Sequence, residues 1–123
     1  LGDDLHVARS LERISEFHMK SGRAAEAEPL LREAADIIRR LSGAEHAHYG
    51  RTLTELGKAI AALDRLAEAE TVLREALSIC RLKLPPDAPE VREAVNALCG
   101  VLERQDKQNE ARQIRTELEV PER

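Results

Sequence analysis

Aromatic side chains are nearly absent: tryptophan is missing, Tyr49 and Phe17 stand alone, and aromatics make up 2% of the 123 residues. A core built without them must draw on Ala, Leu, Ile and Val, a set that suits closely packed helices. The same lack removes the flat platforms on which nucleic-acid bases stack. Charge points the same way, because 19 Lys and Arg against 23 Asp and Glu leave a formal net charge of −4. The basic residues are interleaved with Glu instead of forming a stripe, so no nucleic-acid partner is expected. No apolar run reaches the length of a membrane span, and Leu1 to Leu11 lack the charged-then-apolar form of a signal peptide, so no membrane partner is expected either. Cysteine occurs only as Cys80 and Cys99, both inside apolar stretches. That is not a disulfide framework, and a reducing, cytoplasmic setting is expected. At this length the chain has room for one folding unit.

What the sequence has in place of these is an internal repeat. The stretch Arg23-Ala24-Ala25-Glu26-Ala27-Glu28-Pro29-Leu30-Leu31-Arg32-Glu33-Ala34 returns as Arg65-Leu66-Ala67-Glu68-Ala69-Glu70-Thr71-Val72-Leu73-Arg74-Glu75-Ala76, and a weaker third copy begins at Lys107. Ala27, Ala69 and Ala111 fall 42 residues apart, without insertion. Upstream segments keep the register: Leu11, Ile14 and Phe17 correspond to Leu53, Leu56 and Ala59, then to Val95, Leu98 and Val101.

Each repeat holds two segments with apolar residues at helical spacing, such as Leu53, Leu56, Ile60 and Leu63, followed by Ala69, Val72, Leu73, Ala76 and Ile79. Tight links at Ser21-Gly22-Arg23, Asp64-Arg65 and Gln105-Asp106-Lys107 make the two helices of each repeat antiparallel neighbours. Gly43 and the run Leu84-Pro85-Pro86-Asp87-Ala88-Pro89 separate the repeats. Helices are expected over 5–20, 24–41, 47–62, 66–83, 88–104 and 108–119, giving an all-α single domain over 1–123 with repeats at 5–46, 47–88 and 89–123.

These residues resemble the tetratricopeptide pattern of large apolar, apolar, small and aromatic positions, then Ala and a further large apolar residue, with His18, Ile60 and Leu102 standing at the aromatic position. The first repeat carries it in Leu11, Ile14, Ser15 and His18, then Ala27, Leu31 and Ala34. The second carries it in Leu53, Leu56, Gly57 and Ile60, then Ala69, Leu73 and Ala76. In the third, Val95, Leu98, Cys99, Leu102 and Ala111 fit, but Arg115 stands where an apolar residue is wanted. Repeat length and the linker Gly43-Ala44-Glu45-His46-Ala47-His48-Tyr49 are similar to the kinesin-light-chain type. The resemblance implies a right-handed α-solenoid of three antiparallel hairpins, with Ser15, Gly57 and Cys99 facing the partner helix of each hairpin. Gln108, Asn109, Gln113, Arg115 and Thr116 would make the last repeat a wettable cap. Leu1-Gly2-Asp3-Asp4 reads as the linker after a preceding repeat, so an excised array is expected, with self-association through an uncovered first helix.

In such a solenoid the first helices line the concave surface, where the resemblance implies binding of a peptide or partner protein, in a scaffold or adaptor role. The candidate groove residues are Arg9, Glu12, Arg13, Glu16, Arg51, Thr54, Glu55, Lys58, Glu93 and Asn96. Arg9, Arg13, Arg51 and Lys58 would meet acidic groups, and Thr54 and Asn96 a peptide backbone. The alternative is that Arg13 with Glu55, Glu16 with Lys58, and Arg51 with Glu93 neutralise one another as solvated pairs. A structural spacer without a groove ligand fits the same sequence. Of the paired asparagines that relatives of the kinesin-light-chain type tend to carry on this helix, only Asn96 is present.

Catalytic constellations are thin. Glu12 and Glu16 stand one turn apart but no nucleophile or phosphate-cradling glycine loop accompanies them, so no catalysis is expected. His46 and His48 lack the further ligands a metal would require, and no cofactor or metal is expected.

Overall fold

The computed structural model describes residues 4–118, which form six helices: α1 (Leu5–Lys20), α2 (Ala24–Ser42), α3 (Ala47–Ala62), α4 (Leu66–Lys83), α5 (Pro89–Arg104) and α6 (Gln108–Leu118). The expected spans agree to within a residue. The end of the sixth, at 119, and most of the linker Leu1-Gly2-Asp3-Asp4 lie outside the described residues. Asp4 itself caps α1, its Oδ1 accepting from the Val7 N–H at 3.0 Å.

One turn closes all three hairpins. Gly22, Asp64 and Asp106, at the same register position, adopt left-handed φ values of 74°, 64° and 62°. The next N–H in each case reaches back to a helix carbonyl, Arg23 to His18 at 2.7 Å, Arg65 to Ile60 at 3.2 Å and Lys107 to Leu102 at 2.8 Å. This is the Schellman closure, which satisfies carbonyls that a helix end leaves open.

Small residues then set how closely the two helices of a hairpin approach. Ala27, Ala69 and Ala111 are buried, as are Ser15, Gly57 and Cys99 opposite them. A methyl group at Gly57 would lie 2.5 Å from Cδ2 of Leu73, so Leu73 packs directly over the glycine and would have to shift for any larger residue. Across the third hairpin Cys99 Sγ donates to the Ala111 carbonyl at 3.4 Å. Hairpins stack by packing α2 on α3 and α4 on α5, and α3 also meets α5 directly. The resulting right-handed solenoid is continuous, with Leu31, Ile37, Ile38, Ile60, Leu73, Val91, Val95, Leu98 and Leu102 among its buried side chains.

Away from the core, each junction between repeats carries charges in one register. At the first, Glu28, Arg32, Glu68 and Arg65 close a ring: Arg65 grips Glu28 with both Nη atoms at 2.7 and 2.8 Å, and Arg32 reaches Glu68 at 2.6 Å and Glu28 at 2.8 Å. At the second, the register equivalents Glu70, Arg74, Glu110 and Lys107 make the same two pairs across the junction, Lys107 to Glu70 at 3.1 Å and Arg74 to Glu110 at 3.3 Å, but leave the ring open between Lys107 and Glu110. Gln105 adds a bond to Glu70 at 2.9 Å. Burial pushes the Glu70 carboxyl up, but Gln105, Arg74 and Lys107 together outweigh it and hold its pKa down to about 2. Glu28 is likewise held below the usual carboxylate range, chiefly by Arg65.

The last repeat departs from the expected cap in one respect. Gln108, Asn109, Gln113 and Thr116 are exposed, but Arg115 is only 8% exposed. Its guanidinium donates to Asn96 Oδ1 at 2.6 Å, so its stem fills the volume of the apolar residue it replaces while its charged end finds a polar partner on α5.

Candidate functional site

The first helices of the three repeats line an open groove of about 720 Å³. It exists because α1 keeps far less backbone contact with α3 than α3 keeps with α5. Leu31 of α2 and Met19 and Lys20 of α1 also border it.

Eight of the ten expected residues line this groove: Arg9, Glu12, Arg13 and Glu16 from α1, Arg51, Glu55 and Lys58 from α3, and Glu93 from α5. Thr54 does not reach it. It is 2% exposed, and its hydroxyl donates to the Gly50 carbonyl at 3.1 Å, because its position faces the packed side of α3. Asn96 lies in an adjoining hollow with Lys58, Pro89, Arg92 and Ala97, and its carbonyl oxygen already accepts from Arg115.

The expected cross-helix pairs are replaced by others. Lys58 turns to Glu93 of α5 and also lies 3.4 Å from Glu55, while Glu16 pairs with Lys20 at 3.4 Å within α1. The closeness of α3 to α5, against the gap to α1, decides this. Burial pulls the Lys58 ammonium down, but the bond to Glu93 and the two carboxylate charges raise it above the ordinary lysine value. Burial pushes the Glu55 carboxyl up against the pull of Lys58.

Glu12 is also occupied. Its carboxylate accepts from Thr52 Oγ1 at 2.6 Å and lies 3.2 Å from His48 Nε2, tying α1 to the start of α3. His46 caps α3, with Nδ1 accepting from the His48 N–H at 3.0 Å. Both linker histidines thus have local partners. The described residues hold no group of three His, Cys, Asp or Glu suited to a metal, and no helix among them is long and apolar enough to cross a membrane. The bridge is not visible in the groove pattern, since Thr52, fully buried, lies off the face shared by Arg51, Glu55 and Lys58.

What remains after these pairings is basic. Arg9 and Arg13, one turn apart on α1, and Arg51, the register equivalent of Arg9 on α3, are exposed and have no ion-pair partner among the described residues.

Comparison with known proteins places this geometry. The sequence profile described as Tetratricopeptide repeat matches residues 6–81. The chain belongs to the tetratricopeptide repeat family. No curated protein matches it. Among solved structures, the Podosopora anserina putative kinesin light chain nearly identical TPR-like repeats superpose with a TM-score of 0.83 at 20% identity, covering 94% of this chain and 55% of that one. A point variant of those repeats gives a TM-score of 0.79 at 21% identity, covering 89% of this chain and 52% of that one. The chain therefore spans about half the length of these structures and shares their fold. Tetratricopeptide repeats serve in general as surfaces for protein–protein interaction. Of the three positions where the resemblance implied an amide, Glu12 instead bridges to α3, Thr54 is buried, and only Asn96 carries one.

Proposed function

We propose that this array captures a polypeptide partner in the groove of α1, α3 and α5, seating acidic side chains of the partner among Arg9, Arg13 and Arg51. The observation that carries this reading is that these three guanidiniums have no ion-pair partner among the described residues, while Lys58 is held by Glu93 and Glu55, and Glu12 by Thr52 and His48. Guanidiniums present planar donor forks that match carboxylates two bonds at a time, so a partner with spaced Asp or Glu suits them better than a neutral one. The role is that of an adaptor, not a catalyst. Glu12 serves to tie α1 to α3, and Glu16 pairs with Lys20 within α1. Buried Cys80 and Cys99 suit a reducing, cytoplasmic setting.

Fluorescence anisotropy with a labelled glutamate-rich peptide and its glutamine counterpart tests the reading. The glutamate peptide should bind and weaken as salt rises, with Arg13→Ala costing about tenfold in affinity, or roughly 1.4 kcal/mol, and Arg51→Glu abolishing binding. Equal binding of the glutamine peptide, or binding indifferent to Arg51→Glu, overturns the acidic-partner reading, and absence of binding by either peptide favours a spacer with no groove ligand.

A further inference from the structure

The stacking face of the first helix is open. In α3 the residues Tyr49, Thr52, Leu53, Leu56 and Ala59 are buried, and in α5 so are Val91, Ala94, Val95, Leu98 and Val101. The same register in α1 includes Ile14, 48% exposed, and Phe17, 61% exposed. In both covered cases the cover includes the second helix of the preceding hairpin, α2 on α3 and α4 on α5.

Charge repeats the message independently. Each junction joins an incoming base and acid, Arg65 with Glu68 or Lys107 with Glu110, to an outgoing acid and base one turn apart, Glu28 with Arg32 or Glu70 with Arg74. The first repeat carries the incoming pair too, as Arg23 and Glu26, both exposed and without a counter-charge among the described residues. The outgoing positions of the last repeat hold Arg112 and Thr116. A second copy stacked tail to head would therefore set Arg112 against Arg23, like against like.

We propose that the α1–α2 edge docks a partner helical hairpin of the same repeat class, whose second helix carries Glu and Arg one turn apart in the register of Glu28 and Arg32. The Glu meets Arg23, the Arg meets Glu26, and the apolar side of the hairpin covers Ile14 and Phe17. This surface is separate from the arginine groove and does not depend on the peptide reading.

The test places a copy of residues 47–88, one whole repeat, directly before Leu5 in the Phe17→Trp form of the chain. In the chain without the copy, the indole at position 17 should be open to acrylamide. With it, quenching should fall several-fold and the urea midpoint should rise. Arg23→Glu with Glu26→Arg should reverse both changes, and Glu→Arg with Arg→Glu at the copy's equivalents of Glu70 and Arg74 should restore them. An indole that stays equally open, or charge swaps without rescue, overturns the proposal. A tandem carrying residues 5–46 instead, with Glu28 and Arg32 in place, should behave alike, and failure of both tandems to fold also counts against it. Sedimentation of the unmodified chain should show monomer. Concentration-dependent dimers that shield position 17 would overturn the proposal by assigning the face to a second copy.

Discussion

The outer junctions and the inner groove treat the same residue types in opposite ways. Along the junctions, Glu28, Arg32, Arg65 and Glu68 satisfy one another, and Glu70, Arg74, Lys107 and Glu110 do so again one repeat later. In the groove, Arg9, Arg13 and Arg51 stand without acids although Glu16 and Glu55 line the same space. Junction charges hold repeats in register; groove charges are left for something else. Stability and recognition should therefore separate by mutation.

The largest effect should come from Glu28→Lys, which sets a third cation between Arg32 and Arg65 and is expected to lower stability by about 2 kcal/mol in urea unfolding. Acid should expose the second junction. The folded pKa of Glu70, about 2, lies below its unfolded value, so its contribution is full above about pH 4.3 and is lost as pH falls toward 2. Glu70→Gln should flatten that part of the stability profile and cost about 1–2 kcal/mol at neutral pH. Arg51→Ala, by contrast, should change stability by less than about 0.5 kcal/mol, and a larger loss would mean that the groove arginines are structural after all. The finest test is Lys107→Arg, which supplies the second guanidinium fork missing from the second ring and should add no more than about 0.5 kcal/mol.

The repeat makes the fold legible. Ala27, Ala69 and Ala111 set the register, and with it the helices, the turns and the small residues that face across each hairpin. Groove membership follows for most positions because a helix face is periodic. Thr54 and Arg115 escape for a common reason: burial of a polar side chain depends on one partner atom, the Gly50 carbonyl or Asn96 Oδ1, which periodicity does not encode. The ion pairs differ from expectation because equal spacing in sequence suggests equal spacing of helices. The solenoid instead sets α3 close to α5 and apart from α1, and Lys58 follows the nearer acid.

The left-handed turn at Gly22, Asp64 and Asp106 has a consequence for how such a chain can change length. Adding or removing 42 residues carries every turn, cap and charged ring along intact. A single residue inserted within a helix rotates everything beyond it by about 100°, swinging buried positions toward water. Duplication in whole units is therefore the cheap edit, and point insertions should be tolerated only in the linkers around Gly43 and Pro86.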